Sequence, residues 1–179
     1  MKKVLAFAGS NSSKSINKRL VEYAASLLSR TDVKIIDLRD FEAPIYSMDM
    51  EEETGAPVAM KELNKLFNEC DGFIISAPEY NSGITPVLKN TIDWISRVER
   101  PTFKNKPVLL MATSAGGRGG KTNMEHMATL MPRWGGELVA SFSLPNFQQN
   151  MHAPVYQLTH NEYRQELLDA IEKLEQALE

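Results

Sequence analysis

Three short segments hold most of the side chains suited to ligand chemistry. The first is Gly9-Ser10-Asn11-Ser12-Ser13-Lys14-Ser15-Ile16-Asn17, just ahead of apolar residues at helical spacing. The free N–H groups and the dipole of a helix start favour an anion such as a phosphate. Hydroxyls of Ser10, Ser12 and Ser15 and the amide of Asn17 would close around a dianion, over the backbone at Ile16. Lys14 either adds charge or points into water. With one glycine and no Gly-Lys-Ser/Thr, the segment is neither a Walker loop nor a dinucleotide fingerprint.

The second segment is Ala77-Pro78-Glu79-Tyr80-Asn81-Ser82-Gly83-Ile84-Thr85-Pro86. A carboxylate, an aromatic plane and an amide beside a glycine suit a planar heterocycle with donors and acceptors on its edge. The third is Thr113-Ser114-Ala115-Gly116-Gly117-Arg118-Gly119-Gly120. Its glycines permit positive φ and close approach of backbone to a ligand, which makes Ser114, Gly116, Gly117 and Arg118 a candidate rim.

These segments need a frame that brings them together. Short apolar runs read as strands at Val4–Ala8, Val33–Leu38, Gly72–Ala77, Pro107–Thr113 and Glu137–Phe142, and helical spacing alternates with them. Ser15 is a fitting cap for the first helix, and Pro86 suits the first turn of another. Pro57 suits the first turn of Val58–Glu69, while Arg39–Ala56 reads as a long connection. Thr122–Pro132 and Thr159–Leu178 complete the set of helices. The alternation implies an α/β fold: a three-layer, doubly wound sandwich around a five-stranded parallel sheet in order 2-1-3-4-5. Ligands in such folds bind at the carboxyl ends of the strands, at the switch point between strands 1 and 3. The three segments follow strands 1, 3 and 4.

Composition narrows the function. The 179 residues fit one domain spanning 1–179, and a net charge of −3 gives no reason to expect nucleic acid or an anionic membrane as partner. No stretch approaches the length of a membrane span. The single cysteine, Cys70, permits no internal disulfide and suits a reducing compartment, so a cytoplasmic location is expected. Cys70 reads as a small residue closing a helix. His126, His152 and His160 lack metal-ligand spacing, and Glu51-Glu52-Glu53 reads as a solvated run, so no metal is expected.

Pro78-Glu79-Tyr80-Asn81 followed by Leu88-Lys89-Asn90-Thr91-Ile92-Asp93-Trp94 resembles the signature of the NADPH-dependent FMN reductase family. The resemblance runs from Lys3 to Phe142. It implies a flavodoxin-like fold and a non-covalently bound flavin mononucleotide, FMN. It also implies NADPH or NADH as reductant and a small-molecule electron acceptor: a quinone, azo compound, flavin or metal oxyanion. The matching positions assign the FMN phosphate to Ser10, Ser15 and Asn17 and the ring to Pro78, Glu79, Tyr80 and Asn81. The other rim falls to Ser114, Gly116 and Gly117. Two departures stand out. Many members carry Arg where this chain has Ser12, which removes a bidentate phosphate partner and leaves Lys14 as a point charge. Ala115 stands where many have Pro. Members commonly form dimers or tetramers, and the apolar Ile92, Trp94 and Ile95 are candidates for such a surface.

The expected chemistry is ping-pong hydride transfer through the flavin, with no side chain acting as acid, base or nucleophile. The alternative is a flavodoxin-type electron carrier with no nicotinamide oxidation of its own. Arg97, Arg100 and Arg118 are candidates for the nicotinamide cofactor's phosphates, and Arg118 is favoured by its place in a rim loop. Replacing Arg118 with Ala is expected to raise the nicotinamide KM more than it changes FMN binding. Steady-state kinetics beside an FMN titration checks this, and equal loss of both rejects the role.

Overall fold

The computed structural model describes residues 1–179. Five strands form the central sheet: β1 (Lys2–Ala8), β2 (Thr31–Ile36), β3 (Gly72–Ser76), β4 (Lys106–Thr113) and β5 (Gly136–Leu144). Their spatial order is β2-β1-β3-β4-β5 and every neighbouring pair is parallel, as the sequence implies. The three inner strands are nearly continuous apolar runs because helices cover both of their faces.

One face carries α3 (Val58–Glu69) and α4 (Pro86–Val98). Its core centres on Phe67, which meets Phe73 edge-on at 4.9 Å and stacks near Phe103 at 5.7 Å. The other face carries α1 (Ile16–Leu27) and the terminal helix α6 (Asn161–Ala177), packed over Val4, Ala6, Ile74 and Met111. Helix α5 (Lys121–Leu130) sends Met127 into the first of these cores.

Local chemistry explains the element boundaries. Ser15 caps α1, its Oγ accepting the Lys18 N–H at 3.2 Å. Thr85 caps α4, with Pro86 in the first turn. Cys70 closes α3 as expected; burial pushes its thiol up to about 11, so it stays protonated near neutrality. The connection after β2 is more ordered than its composition suggests. It contains a 3₁₀ turn at Leu38–Phe41 and a short helix, α2 (Met48–Thr54), capped by Ser47. The acidic run lies on α2, where Glu51 pairs with Arg97 and accepts the Tyr46 hydroxyl. The sequence placed β2 two residues late because Leu38, although buried, belongs to that turn. Between Pro145 and Pro154 the chain forms a helical turn at Phe147–Asn150 and starts a small hairpin that pairs Met151–His152 with Gln157–Leu158.

Ile92, Trp94 and Ile95 all face inward, so they offer no subunit surface. Trp94 instead meets Tyr46 edge-on at 5.0 Å and donates from Nε1 to the Pro44 carbonyl at 2.7 Å. Asn90 holds the same segment, accepting from the Tyr46 N–H at 2.9 Å and donating to the Pro44 carbonyl at 3.0 Å.

The end of α4 carries an acid-sensitive group. The Glu99 carboxyl is held down to about 2, against an ordinary 4.5, by hydrogen bonds from Asn68 and Asn64 and by Lys104. A depressed folded value means that the unfolded chain binds the proton more readily. The contribution is therefore complete above about 4.5 and fades as the pH falls towards about 2. Glu99→Gln is expected to lose stability less steeply across that window, measured as urea midpoint against pH.

Candidate functional site

The turns after β1, β3 and β4 meet at one end of the sheet and are fastened by buried side chains. Asn17, in the first turn of α1, accepts the Thr113 N–H at 3.1 Å and donates back to the Thr113 carbonyl at 3.1 Å. It also accepts the Ser76 hydroxyl at 2.8 Å. One amide thus joins the first turn to the ends of β3 and β4. Thr85 donates to the Gly9 carbonyl at 2.6 Å and ties the second turn to the first. Glu79 Oε2 accepts the Asn123 N–H at 3.0 Å, so the second turn also anchors the start of α5.

The first turn makes a cradle of small polar groups. Ser10 is buried and its Oγ accepts the Ser12 N–H at 3.2 Å; Ser12 Oγ in turn accepts the Lys14 N–H at 3.2 Å. The first four N–H groups of α1 have no partner inside the helix. Lys18 and Arg19 donate to Ser15 Oγ and Ser15 O, which leaves the amides of Ile16 and Asn17 for an outside acceptor. Lys14 is exposed.

The second turn is a hairpin pairing Glu79–Tyr80 with Gly83–Ile84. Asn81 and Ser82 form its tip at φ 50° and 63°, both left-handed. That is a type I′ turn. The glycine beside it, Gly83, is not in the left-handed region. Tyr80 is 47% exposed, so its ring faces solvent instead of filling the core. Pro78 is buried and its carbonyl accepts Asn123 Nδ2 at 2.8 Å.

The third turn contains two kinds of glycine. Gly119 and Gly120 lie at φ 60° and 77°; a Cβ on Gly119 would collide with Ser143 Oγ. They serve the fold. Gly116 and Gly117 are exposed, neither is left-handed, and a Cβ on Gly116 would meet nothing within 4 Å. Nothing inside the chain requires glycine there. Ser114 Oγ donates to the Gly116 carbonyl at 3.0 Å, and Arg118 Nη2 donates to Thr122 Oγ1 at 2.6 Å.

Three of the candidate side chains are engaged within the chain. The Asn17 side-chain amide is buried and held by Thr113 and Ser76, which leaves its backbone N–H without a partner. Glu79 Oε2 caps α5, while the residue stays half-buried at the start of the second turn. Arg97 pairs with Glu51 at 2.9 Å. Arg100 donates from Nε to the Ser96 carbonyl at 3.2 Å. Ser76, Thr85, Thr113 and Asn123 also fasten the turns, although none stands out in the sequence as a site residue. Thr85 before Pro86 carried a cap signal; Asn123 carried none.

Residues 2–149 match the sequence profile of NADPH-dependent FMN reductases. The chain belongs to that family. An Escherichia coli quinone reductase is 35% identical over 88 residues, covering 49% of this chain and 47% of that protein. A Pseudomonas aeruginosa NAD(P)H-dependent FMN reductase is 31% identical over 126 residues, covering 70% of this chain and 66% of that one. The match thus spans about half the length of the first relative. Among solved structures, a flavoenzyme NAD(P)H:(acceptor) oxidoreductase from Paracoccus denitrificans superimposes with a TM-score of 0.80 at 21% identity, covering 99% of this chain and 97% of the other. At that identity the likeness speaks for the flavodoxin-like fold.

The chain's groups fit the family's FMN. Two helix-start amides and a run of hydroxyls suit its phosphate. The open space at Gly116 lets backbone approach a flat ring. Because the Asn17 amide holds the turns together, Asn17→Ala would orphan the buried Thr113 N–H and Thr113 carbonyl. It is expected to lower stability by about 2–3 kcal/mol, read from urea denaturation. An unchanged midpoint would place the fastening elsewhere.

Proposed function

We propose that this member of the FMN reductase family is an NAD(P)H oxidoreductase that holds FMN in the crevice formed by the three turns. Reducing equivalents would pass by a ping-pong route to a small acceptor such as a quinone, azo compound or flavin. The observation that supports the reading is the presence, at the same end of the sheet, of unpartnered amides at Ile16 and Asn17 and an open glycine edge at Gly116, in turns joined by buried hydrogen bonds through Asn17 and Thr85. FMN, when bound, supplies the acceptance of hydride from the nicotinamide and its delivery to the second substrate.

The chain's own task is to bind and orient. Ser10, Ser12 and Ser15, with the α1 amides, would hold the phosphate, and Lys14 would add a mobile charge in place of the missing guanidinium. Pro78, Glu79, Tyr80, Asn81 and Ser82 would form one side of the ring site. Ser114, Gly116, Gly117 and Arg118 would form the other. Oriented backbone N–H groups near Asn81 and Gly116 would stabilise negative charge on the ring, as fixed donors do for any developing anion. Beside the first turn lies a cavity of about 550 Å³ that includes Asn11, Phe41, Pro44, Pro86 and Val87. Its size and partly apolar lining suit a small acceptor or the nicotinamide.

No helix is long and apolar enough to cross a membrane. We infer a cytoplasmic enzyme acting as one domain over 1–179, assembled as a homodimer or homotetramer. With Ile92, Trp94 and Ile95 buried, any apolar contact between subunits would have to draw on exposed side chains such as Met48 and Val58, which are 68% and 69% exposed.

The test is anaerobic. Purified protein loaded with FMN is mixed with NADPH, then with a quinone. The flavin absorbance is expected to bleach and then return, and double-reciprocal plots at several quinone concentrations should be parallel. Bleaching only after a separate reductase is added would make the protein an electron carrier. Failure to take up FMN would overturn the reading altogether.

A further inference from the structure

Helix α5 begins without a capping side chain of its own. Its N-cap is Gly120, in the left-handed region at φ 77°. The N–H of Asn123, at the third helical position, has no acceptor inside the helix. The acceptor comes from 44 residues earlier in the chain, as Glu79 Oε2 at 3.0 Å. The Asn123 side chain returns the contact, donating from Nδ2 to the Pro78 carbonyl at 2.8 Å. Asn123 is fully buried and its Oδ1 has no hydrogen-bond partner. Burying an unmatched acceptor is unfavourable, and an apolar side chain of similar volume would avoid it. What an apolar residue cannot do is hold the Pro78 carbonyl.

Asn123 therefore bonds two successive residues at the start of the second turn from just behind the end of the third. The turns also touch here: a Cβ on Gly120 would lie 3.9 Å from both Glu79 Cβ and the Ala77 carbonyl. Asn81 lies two residues past Glu79 and Gly116 four residues before Gly120 in the sequence. On the side of the second turn this is the contact that sets the spacing of the two candidate ring edges, while the third turn is also held by the Asn146 and Phe147 N–H groups, which donate to the Gly116 and Ser114 carbonyls at 3.0 Å each.

We propose that Asn123 is a positioning residue for the flavin: by holding Pro78 and Glu79 together, it fixes the gap between the second and third turns that grip the ring. The inference rests on the flavin-binding reading above. Asn123 makes no bond to the phosphate cradle, whose own bonds to the neighbouring turns run through Asn17 and Thr85.

Asn123→Ala and Asn123→Leu are compared with the wild type by amide hydrogen exchange without ligand and by FMN titration followed through flavin fluorescence. Exchange in residues 78–84 and 114–120 is expected to accelerate at least fivefold in both variants, while β1 and β3 keep their protection. The FMN Kd is expected to rise about tenfold. A purely structural residue would lower the denaturation midpoint and leave the FMN Kd unchanged, and that result overturns the proposal. Unaccelerated exchange in the two turns overturns it as well. If Asn123→Ala does not fold, Asn123→Leu, which fills the buried volume and loses only the bond to the Pro78 carbonyl, carries the same comparison. A wild type that takes up no FMN defeats the flavin reading itself, whereas a wild type that binds FMN no better than both variants defeats only the role of Asn123.

Discussion

The crevice depends on a few buried hydrogen bonds between turns that the sequence keeps far apart. A parallel sheet places the ends of β1, β3 and β4 side by side, and a few backbone bonds such as Gly9 N–H to the Ser76 carbonyl extend it, but the turns beyond are joined to one another largely through side chains. Asn17 bridges the end of β4 and meets the Ser76 hydroxyl on β3. Thr85 and Glu79 complete the connections to Gly9 and to α5. A hydrogen bond of this kind contributes only about 1 kcal/mol net, yet leaving a buried partner unmatched costs about 1–3 kcal/mol. The arrangement is therefore held as much by the penalty for breaking it as by the energy of making it.

That economy of fastening leaves other groups free. The polar side chains that fasten the turns are largely shielded, and the groups that remain available are chiefly backbone amides, short hydroxyls and bare glycine. Such donors are oriented before any ligand arrives and need little reorganisation to meet one. The absence of a strong positive field fits this design. Lys18 pairs with Asp37, Arg19 with Glu22 and Arg97 with Glu51, leaving exposed Lys14 as the cation nearest the cradle in sequence. A phosphate would be held mainly by amide and hydroxyl geometry, with charge in a secondary part.

The same division explains which assignments held. Ser15 and Pro86 follow local rules for helix starts, and both stand where those rules put them. Trp94 and Ile92 sit in a helix whose inward face is set by its packing on the Phe67 side of the sheet, so their apolar character reflects core and gives no sign of a subunit surface. The glycine-rich turn shows how composition can mislead. Four glycines look equivalent in the sequence, yet Gly119 and Gly120 answer to positive φ and tight packing, while Gly116 and Gly117 leave space.

By itself the sequence determined the alternation of strands and helices, the parallel sheet and the three turns that matter. Each of these follows from hydrophobic period, capping and turn chemistry acting over a few residues, and the family signature over residues 78–94 agrees with them. Only the tertiary structure decided which polar side chains face outward and which act as fasteners. Asn17 and Thr113 are 96 residues apart, and Glu79 and Asn123 are 44 apart. No local rule reports such a pairing, because an asparagine looks the same in the sequence whether it meets a ligand or the neighbouring strand.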